Sequence, residues 1–288
     1  MSTSNPQAAA DTRRIFVKSP AQASTKGRTI RRGLVPRRFG ASSVLFGPIV
    51  VLLLWQLASS TGMLSPRVLA SPVAAIQSGY EMLLDGTLQS HLLASAGRAY
   101  AGLSIGVTLG LVLALVAGLT GVGDASIDGL IQVKRAVPTL ALIPLAIMWL
   151  GIGEIMKIAL ITGSVLVPVY INTHAALRGI DIRYVELART VGLSRREFIR
   201  RVALPGALPG FFTGLRLAVT TCWTALVVLE QINTTQGIGY LMSRARDYGQ
   251  TEVIVVGLFI YAVLGITSDA AVRVWARKAL GYQRVIGS

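Results

Sequence analysis

The chain has 288 residues, of which 52% are hydrophobic and only 14% are charged, and its mean hydropathy is +0.60. Soluble globular proteins carry roughly 25% charged residues, so this composition argues against a soluble enzyme, and the high hydrophobicity argues against a disordered chain. The 28 Lys and Arg residues outnumber the 13 Asp and Glu residues, which gives a formal net charge of +15. The single cysteine, Cys222, excludes an intrachain disulfide and a cysteine-based zinc site.

The first forty residues form a basic, polar tail, which we expect to be disordered and cytoplasmic. Its Arg13-Arg14 pair has the form of a twin-arginine export signal. Such a signal needs an apolar stretch soon afterwards, but polar residues follow here and the first apolar run begins more than 20 residues later. We therefore interpret this region as a tail that precedes one membrane domain at residues 41–283.

Six stretches of low charge in this domain predict six transmembrane helices. A bilayer core about 30 Å thick needs roughly 20 apolar residues in a helix. The predicted spans lie at about residues 43–61, 98–120, 136–153, 157–177, 207–229 and 252–275. Between the first two, Ser71-Pro72 is typical of a helix start and Asp85-Gly86 of a helix end, so we expect a short helix at the outer surface.

The distribution of positive charge predicts the orientation of these spans, because Lys and Arg favour the cytoplasmic side. With the N-terminus inside, 22 Lys and Arg residues fall in cytoplasmic segments and 5 in outer loops. We therefore predict a multi-pass protein of the cytoplasmic (inner) membrane with both termini in the cytoplasm. The net charge then reflects topology and anionic lipid headgroups, and no nucleic acid is needed to explain it.

Residues 178–205, between the fourth and fifth predicted spans, have the pattern of two short helices joined at Gly192. Glycine at such a joint supplies the positive φ that ends the first helix. Ser194 and Glu197 form a capping box that begins the second helix, and Leu204-Pro205 is expected to end it. An amphipathic elbow of this kind is suited to contact with a cytoplasmic partner.

The same segment resembles the EAA motif of the binding-protein-dependent ABC importer permeases. In that motif Glu-Ala-Ala, three residues, Gly, nine residues and Ile-x-Leu-Pro follow one another. The matching positions here are Glu186, Ala188, Gly192, Val202, Leu204 and Pro205. Leu187 replaces an Ala and Val202 replaces an Ile, both mild departures. The resemblance covers roughly residues 45–280, and residues 138–154 and 237–241 look like the nitrate, sulfonate and taurine class of these permeases.

This resemblance implies an all-α integral membrane protein with six transmembrane helices of the type I ABC importer permease fold and with coupling helices between spans four and five. It also implies a second permease copy, giving a homodimer, two ABC ATPase subunits that grip the matched residues, and a periplasmic or lipid-anchored solute-binding protein. The expected solute is an organic sulfonate, taurine or a nitrate-like anion. A thiamine-pathway pyrimidine is the alternative, and a membrane enzyme or a non-transport scaffold fits less well.

The chain lacks a GxxxxGK[ST] phosphate loop, paired catalytic carboxylates and a metal-ligand pattern. We therefore expect no catalytic residue, no metal and no cofactor, with ATP hydrolysis on a separate subunit. Asp124 and Asp128 lie near a span end and are expected to be solvated, and His91 and His174 are expected to be satisfied within helices.

Polar residues within spans usually face a bundle interior or a water-filled cavity. On this ground, the candidates for the translocation path are Arg216, Thr220, Trp223, Glu230, Asn172 and Trp149. Arg216 is the clearest case, about eight residues into the fifth predicted span, so it could receive an anionic solute. Alternatively, it reaches the inner headgroups or pairs with the fourth span.

Overall fold

The structure is a computed structural model that describes residues 41–232 and 234–281, so the predicted tail with Arg13-Arg14 lies outside the described residues. The chain divides after Ile49 into two units, and the described part of the first unit is only the opening turns of helix α1. All regular secondary structure in the described residues is helical.

The α-helices, in chain order, are α1 (Ala41–Ser60), α2 (Pro72–Leu84), α3 (Thr87–Leu119), α4 (Gly121–Gly123), α5 (Gly129–Ala136), α6 (Ile143–Leu150), α7 (Glu154–Arg178), α8 (Ile182–Thr190), α9 (Arg195–Phe198), α10 (Leu204–Glu230), α11 (Ile238–Asp247) and α12 (Thr251–Ala279). Two π-helical turns, Asp124–Asp128 and Ile199–Ala203, and one 3-10 turn, Thr139–Leu142, connect some of them.

Among the described residues, four helical segments are long and apolar enough to cross a membrane. They are α3, α7, the continuous stretch Arg195–Glu230 and α12. A fifth crossing is possible only through a bent pair, Gly121–Ala136 and Thr139–Leu150, and α1 contributes the shorter apolar section Phe46–Ser60. The structure thus has the predicted all-helical membrane architecture, with fewer continuous spans than the six expected.

The third predicted span, residues 136–153, is not one helix. It covers only the second half of a bent pair, whose halves Gly121–Ala136 and Thr139–Leu150 meet at 87°. Between them, Val137 adopts φ −89°, ψ 117° and Pro138 follows. Proline lacks the N–H that would continue the helix and disfavours helical geometry in the residue before it. The first half therefore begins well before residue 136, and Lys134, predicted to lie in a cytoplasmic loop, belongs to helix α5.

The second span begins at Thr87, eleven residues before its predicted start at residue 98. Arg98 and Lys157 stand at the starts of predicted spans and belong to the five outer charges of the sequence count, but in the structure they lie inside α3 and α7. The short helix α2 is confirmed, and the Ser71 hydroxyl caps it by accepting a hydrogen bond from the Ala74 N–H at 3.1 Å.

Helix α7 packs between α3 and α10 along seams of small residues. Every fourth residue of α3 from Gly102 to Gly110 is a glycine that faces α7, and a Cβ at Gly106 would lie 2.8 Å from the Thr162 carbonyl oxygen. On the other side, a Cβ at Gly214 of α10 would lie 2.7 Å from the Pro168 carbonyl oxygen. Such close backbone approach through glycine is how membrane helices associate without a hydrophobic driving force between them.

Large apolar side chains remain exposed on the outside of the bundle. Examples on α1, α3 and α12 are Leu53, Leu57, Leu109, Val112, Leu258, Phe259 and Ile266. A soluble protein rarely exposes apolar surface on this scale. Together with the apolar spans, this surface fits a protein that crosses a lipid membrane several times.

A buried polar network, which we call the end cluster, ties the bundle together at the Glu154 end of α7. The Glu230 carboxylate at the end of α10 is fully buried. It accepts hydrogen bonds from the Ser95 hydroxyl at 2.7 Å, the Tyr261 hydroxyl at 2.9 Å and the Gly239 N–H at 3.0 Å. These contacts join α3, α10, α11 and α12.

Arg98 supplies the positive charge of the end cluster. Its Nη1 lies 2.7 Å from Glu230 Oε1 and 2.7 Å from the Gln236 carbonyl oxygen, and its Nη2 donates to Glu154 Oε1 at 2.9 Å. Lys157 Nζ also contacts Glu154 at 3.0 Å. The network therefore balances two carboxylates against two cations at the junction of five helices, α3, α7, α10, α11 and α12.

A second polar cluster lies near the Arg178 end of α7, and it shows that the expected solvation of Asp124 and Asp128 is wrong. Asp124 Oδ1 lies 2.9 Å from His174 Nε2 and Asp124 Oδ2 lies 3.3 Å from the Arg178 guanidinium. The Tyr170 hydroxyl donates to Asp128 at 3.2 Å. Both carboxylates belong to the π-helical turn Asp124–Asp128, which turns them toward α7.

Candidate functional site

Residues 178–205, which we call the elbow, contain the two short helices that the sequence predicts. Asp181 begins α8, because its side chain accepts a hydrogen bond from the Arg183 N–H at 2.9 Å. The Arg183 side chain also donates to this carboxylate and holds the pKa of Asp181 below its usual range. The start of the elbow is thus fixed by local contacts.

Gly192 forms the joint between the two helices, as predicted, with φ +74°. The Gly192 N–H donates to the Arg189 carbonyl oxygen at 3.0 Å and the Leu193 N–H donates to the Ala188 carbonyl oxygen at 2.9 Å. This pair of bonds is the Schellman motif, which needs a left-handed residue after the helix. No heavy atom lies within 4 Å of a Cβ built at Gly192, so only the backbone conformation demands glycine there.

The predicted capping box begins α9. The Glu197 N–H donates to the Ser194 hydroxyl oxygen at 3.3 Å, and the Ser194 N–H donates to the Glu197 carboxylate at 3.1 Å. Phe198 then packs against a small core that includes Leu177 and Ala207, which anchors the elbow on α7 and α10.

Leu204-Pro205 does not end this helix, contrary to the prediction. The chain stays helical from Arg195 to Glu230, and the π-helical turn Ile199–Ala203 carries it past the proline. The Leu204 N–H reaches back to the Ile199 carbonyl oxygen, one residue further than in an α-helix. The wider turn makes room for a proline in the first turn of α10, where its missing N–H disturbs the helix least.

The elbow presents a mixed apolar and charged face to its surroundings. Tyr184, Leu187 and Val191 lie three and four residues apart, on one face of α8, and are 58%, 59% and 68% exposed. Glu186 is exposed beside them, whereas Ala188 is buried on the opposite side. Exposed aromatic and aliphatic side chains grouped in this way are typical of a protein-binding surface.

The remaining residues of the motif lie at the base of the elbow. Val202 and Pro205 are half-buried and Leu204 is 38% exposed. Arg195 Nη2 donates to the Leu119 carbonyl oxygen at 2.8 Å, which fastens this part of the elbow to the end of α3. The structure thus brings the six motif residues together in one segment, with Glu186 and Gly192 toward the outside.

A cavity of about 570 Å³, which we call the central cavity, lies among the bent third span, α7 and α10. This volume suits a small organic solute, since ligand pockets typically measure roughly 300–1,000 Å³. Its polar lining consists of Lys134, Arg135, Thr139, Ser164, Asn172, Thr221 and Thr224, and the rest is mainly aliphatic. The cavity therefore offers hydroxyl, amide and cationic groups beside apolar surface.

The six predicted path residues do not share this cavity. Asn172 lines it, whereas Thr220 and Trp223 line a second cavity of about 600 Å³ between α10 and α12. Trp149 is largely exposed on α6, and Glu230 is enclosed in the end cluster.

Arg216 faces α12. Its Nε donates to Asp269 Oδ1 at 2.8 Å, and Arg273 contacts the other oxygen of the same carboxylate at 3.2 Å. The predicted alternative of pairing with the fourth span is therefore wrong, because the partner is a carboxylate of the last span.

Sequence reasoning missed two of the charged residues that matter most in the structure. Lys134 lines the central cavity. The signal that could have placed it is Pro138, which leaves too few uncharged residues after it for one straight span and so implies a bent span that begins before residue 136. Arg98 was missed because its carboxylate partners are 56 and 132 residues away along the chain.

Known proteins are similar in sequence to this chain over most of its length. The family described as "Binding-protein-dependent transport system inner membrane component" matches residues 106–280, more than half of the chain. The chain is 44% identical over 236 residues to the putative aliphatic sulfonates transport permease protein SsuC of Escherichia coli (strain K12), covering 81% of this chain and 90% of the relative. It is 36% identical over 259 residues to the protein of the same name from Bacillus subtilis (strain 168), covering 90% and 94%.

The formylaminopyrimidine transport permease protein ThiX of Halalkalibacterium halodurans is less similar, at 26% identity over 225 residues, with 78% of this chain and 89% of the relative covered. Among solved structures, the crystal structure of an amino acid ABC transporter with histidines has the same fold. Its TM-score is 0.55 at 18% identity, with 69% of this chain and 97% of that chain covered. The chain therefore belongs to the binding-protein-dependent ABC importer permeases, the family that its elbow motif resembles.

Proposed function

We propose that the chain is the membrane permease subunit of an importer for organic sulfonates, a solute class that includes taurine. Two relatives named for aliphatic sulfonates share 36–44% identity with it over most of its length. A sulfonate has a permanently charged head and an organic body, and the central cavity offers both cationic and aliphatic lining. The pyrimidine alternative has weaker support, from the less similar relative.

We also propose that two copies of this chain assemble with two ATPase subunits and an external solute-binding protein. The observation that carries this part of the proposal is the elbow, which holds the family motif at a joint with φ +74° and exposes Glu186 beside an apolar stripe. One chain offers one elbow, so a pair of ATPase subunits requires two chains. Phosphate-loop chemistry is absent from the sequence, so ATP hydrolysis belongs to the partner.

The proposed location is the cytoplasmic membrane, with both termini and the elbow in the cytoplasm. The excess of Lys and Arg on that side supports this orientation.

The proposed mechanism is a shift between two conformations of the permease pair. ATP binding closes the ATPase dimer, and the elbow passes that movement to the bundle. Since α9, the π-helical turn and α10 form one uninterrupted helix, a rotation of the elbow moves the α10 side chains that line the central cavity. ATP shifts the equilibrium only as far as it binds the two states with different free energy.

The elbow assignment is tested by affinity pull-down of the ATPase subunit with two variants, Gly192→Val and Glu186→Gln. A β-branched residue at positive φ costs about 1–3 kcal/mol and tilts the second half of the elbow. We expect both variants to reach the membrane at normal levels and to lose most of the bound ATPase.

Gly249→Val is the matched control. Gly249 has φ +68° and, like Gly192, no heavy atom within 4 Å of a built Cβ, but it lies between α11 and α12, outside the elbow. Equal loss of ATPase in Gly192→Val and Gly249→Val would indicate a general folding defect. Full ATPase binding by both elbow variants would remove the main support for the proposed coupling role.

A further inference from the structure

The charged side chains of the bundle differ in how their charges are balanced. Arg98 and Lys157 contact Glu154, and Arg216 contacts Asp269. Lys134 is the exception among the half-buried and buried cations of the described helices, because its ammonium group contacts only the Thr139 hydroxyl, at 2.7 Å. No carboxylate of the described residues pairs with it.

Lys134 lies at a central height in the bundle. It is near the end of α5, just before the bend at Val137-Pro138, and its side chain extends toward α7. A Cβ at Gly163 would lie 3.6 Å from Lys134 Cε and 3.8 Å from Nζ. Gly163 is nine residues along α7 from Glu154, so the ammonium lies roughly 14 Å from that end of the helix.

An uncompensated cation at this depth is costly unless it faces water, an anion or both. Lys134 lines the central cavity, where an ammonium has three donors and the Thr139 contact uses one of them. Thr139 accepts that bond, so its own hydroxyl hydrogen is available to a second acceptor. Arg135 lines the same cavity and is exposed, which adds positive charge to this wall.

The opposite walls of the cavity are neutral. Their hydroxyls donate to carbonyl oxygens of their own helices, as Thr221 does to Leu217 at 2.8 Å and Ser164 does to Leu160 at 2.9 Å. Aliphatic side chains such as Val167 and Ile171 fill the space between them. The cavity thus has one cationic wall and a largely apolar remainder.

We propose that Lys134 and Thr139 form an anion-binding station in the translocation cavity, which contacts the sulfonate group of the solute while its carbon chain lies against the aliphatic wall. This inference rests on the proposed function and assigns the anion contact to Lys134 in place of Arg216, whose charge is already balanced by Asp269. A sulfonate presents three acceptor oxygens and one negative charge, which match the free donors of this wall.

The first test is uptake of radiolabelled ethanesulfonate by proteoliposomes that contain the permease, its ATPase subunit and its binding protein. Lys134→Gln should lower uptake about tenfold or more, because a hydrogen bond to a charged group contributes about 1.5–3 kcal/mol. Lys134→Arg keeps the charge and should retain most of the uptake. ATP hydrolysis stimulated by the loaded binding protein should persist in both variants, since the elbow is unchanged.

Wild-type uptake in Lys134→Gln would overturn the inference, and so would loss of complex assembly in both variants, which would make Lys134 a structural residue. Lys278→Gln removes the same charge from an exposed position on α12, outside the cavity, and should behave as wild type.

A second readout separates this inference from the proposed function. In the wild-type complex, ethanesulfonate should slow acylation of Lys134 by an amine-reactive probe several-fold, as measured by peptide mass spectrometry, whereas ethanol should not. Protection without uptake would support the anion station and contradict the proposed import function. Uptake without protection, together with unimpaired Lys134→Gln, would support import and overturn the anion station.

Discussion

Arg98→Ala is the substitution whose effect on stability follows most directly from the structure. Arg98 is 8% exposed and is the one cation that contacts the Glu230 carboxylate in the described residues, and Glu230 is fully buried. Removing one partner of a buried ion pair leaves an uncompensated buried charge, which costs about 3–5 kcal/mol. The arginine also donates to the Gln236 carbonyl oxygen, so the loop before α11 loses an anchor in the same variant.

The contrasting variant is Glu154→Gln. Its side chain is 54% exposed, so its ion pair with Arg98 contributes only about 1 kcal/mol or less. Glu154 also contacts the buried Lys157, and a Gln at this position still offers an oxygen as hydrogen-bond acceptor but no longer balances the lysine charge. Thermal unfolding of the purified permease in detergent should show a fall in Tm on the order of 10 °C for Arg98→Ala and a smaller fall for Glu154→Gln. The double variant Arg98→Ala/Glu230→Gln should lose less stability than Arg98→Ala and Glu230→Gln lose in sum, because it no longer buries a lone charge. Equal Tm values for Arg98→Ala and wild type would refute the reasoning.

Three further predictions concern packing, capping and the Arg216 pair. Gly106→Ala should lower Tm, at a cost of about 1–3 kcal/mol, because the new Cβ meets the backbone of α7. Gly97→Ala, in the same helix, places its Cβ more than 4 Å from any neighbouring atom and should be neutral or stabilising by up to about 1 kcal/mol. Ser194→Ala should cost about 0.5–2 kcal/mol by removing the capping box, seen as faster hydrogen exchange in α9, and unchanged exchange would contradict this role. Arg216→Ala should keep more ethanesulfonate uptake than Lys134→Gln, because Arg216 is paired with Asp269; the reverse order would return the anion contact to Arg216.

The joint and the helix start within the elbow could be predicted in detail because the contacts that shape them are local in sequence. The Schellman motif at Gly192 and the capping box between Ser194 and Glu197 each involve residues within five positions of one another. The exception is Leu204-Pro205, expected to end the helix. A π-helical turn absorbs the proline, and sequence pattern alone does not reveal whether a helix will stop or widen at such a point.

The bend and the end cluster could not be predicted to the same degree. Counting uncharged residues placed the third span at 136–153, because that rule tests hydrophobicity and ignores the backbone geometry that Pro138 imposes. The pairing of Arg98 with Glu230 depends on how α3 and α10 pack, which is set by the glycine seams on both sides of α7. A count of charges that assigns every cation to an exposed loop cannot identify one that is buried in the bundle and paired with carboxylates, as Arg98 is.

The central claim is that this chain forms the membrane pathway of an ATP-driven, binding-protein-dependent importer. The most direct measurement is accumulation of labelled ethanesulfonate in proteoliposomes that contain the permease, with ATP on the ATPase side and the binding protein on the other. Accumulation should require the permease, the ATPase subunit, ATP and the binding protein together, and it should stop when any one is omitted. Accumulation by the permease alone, or without ATP, would contradict the account.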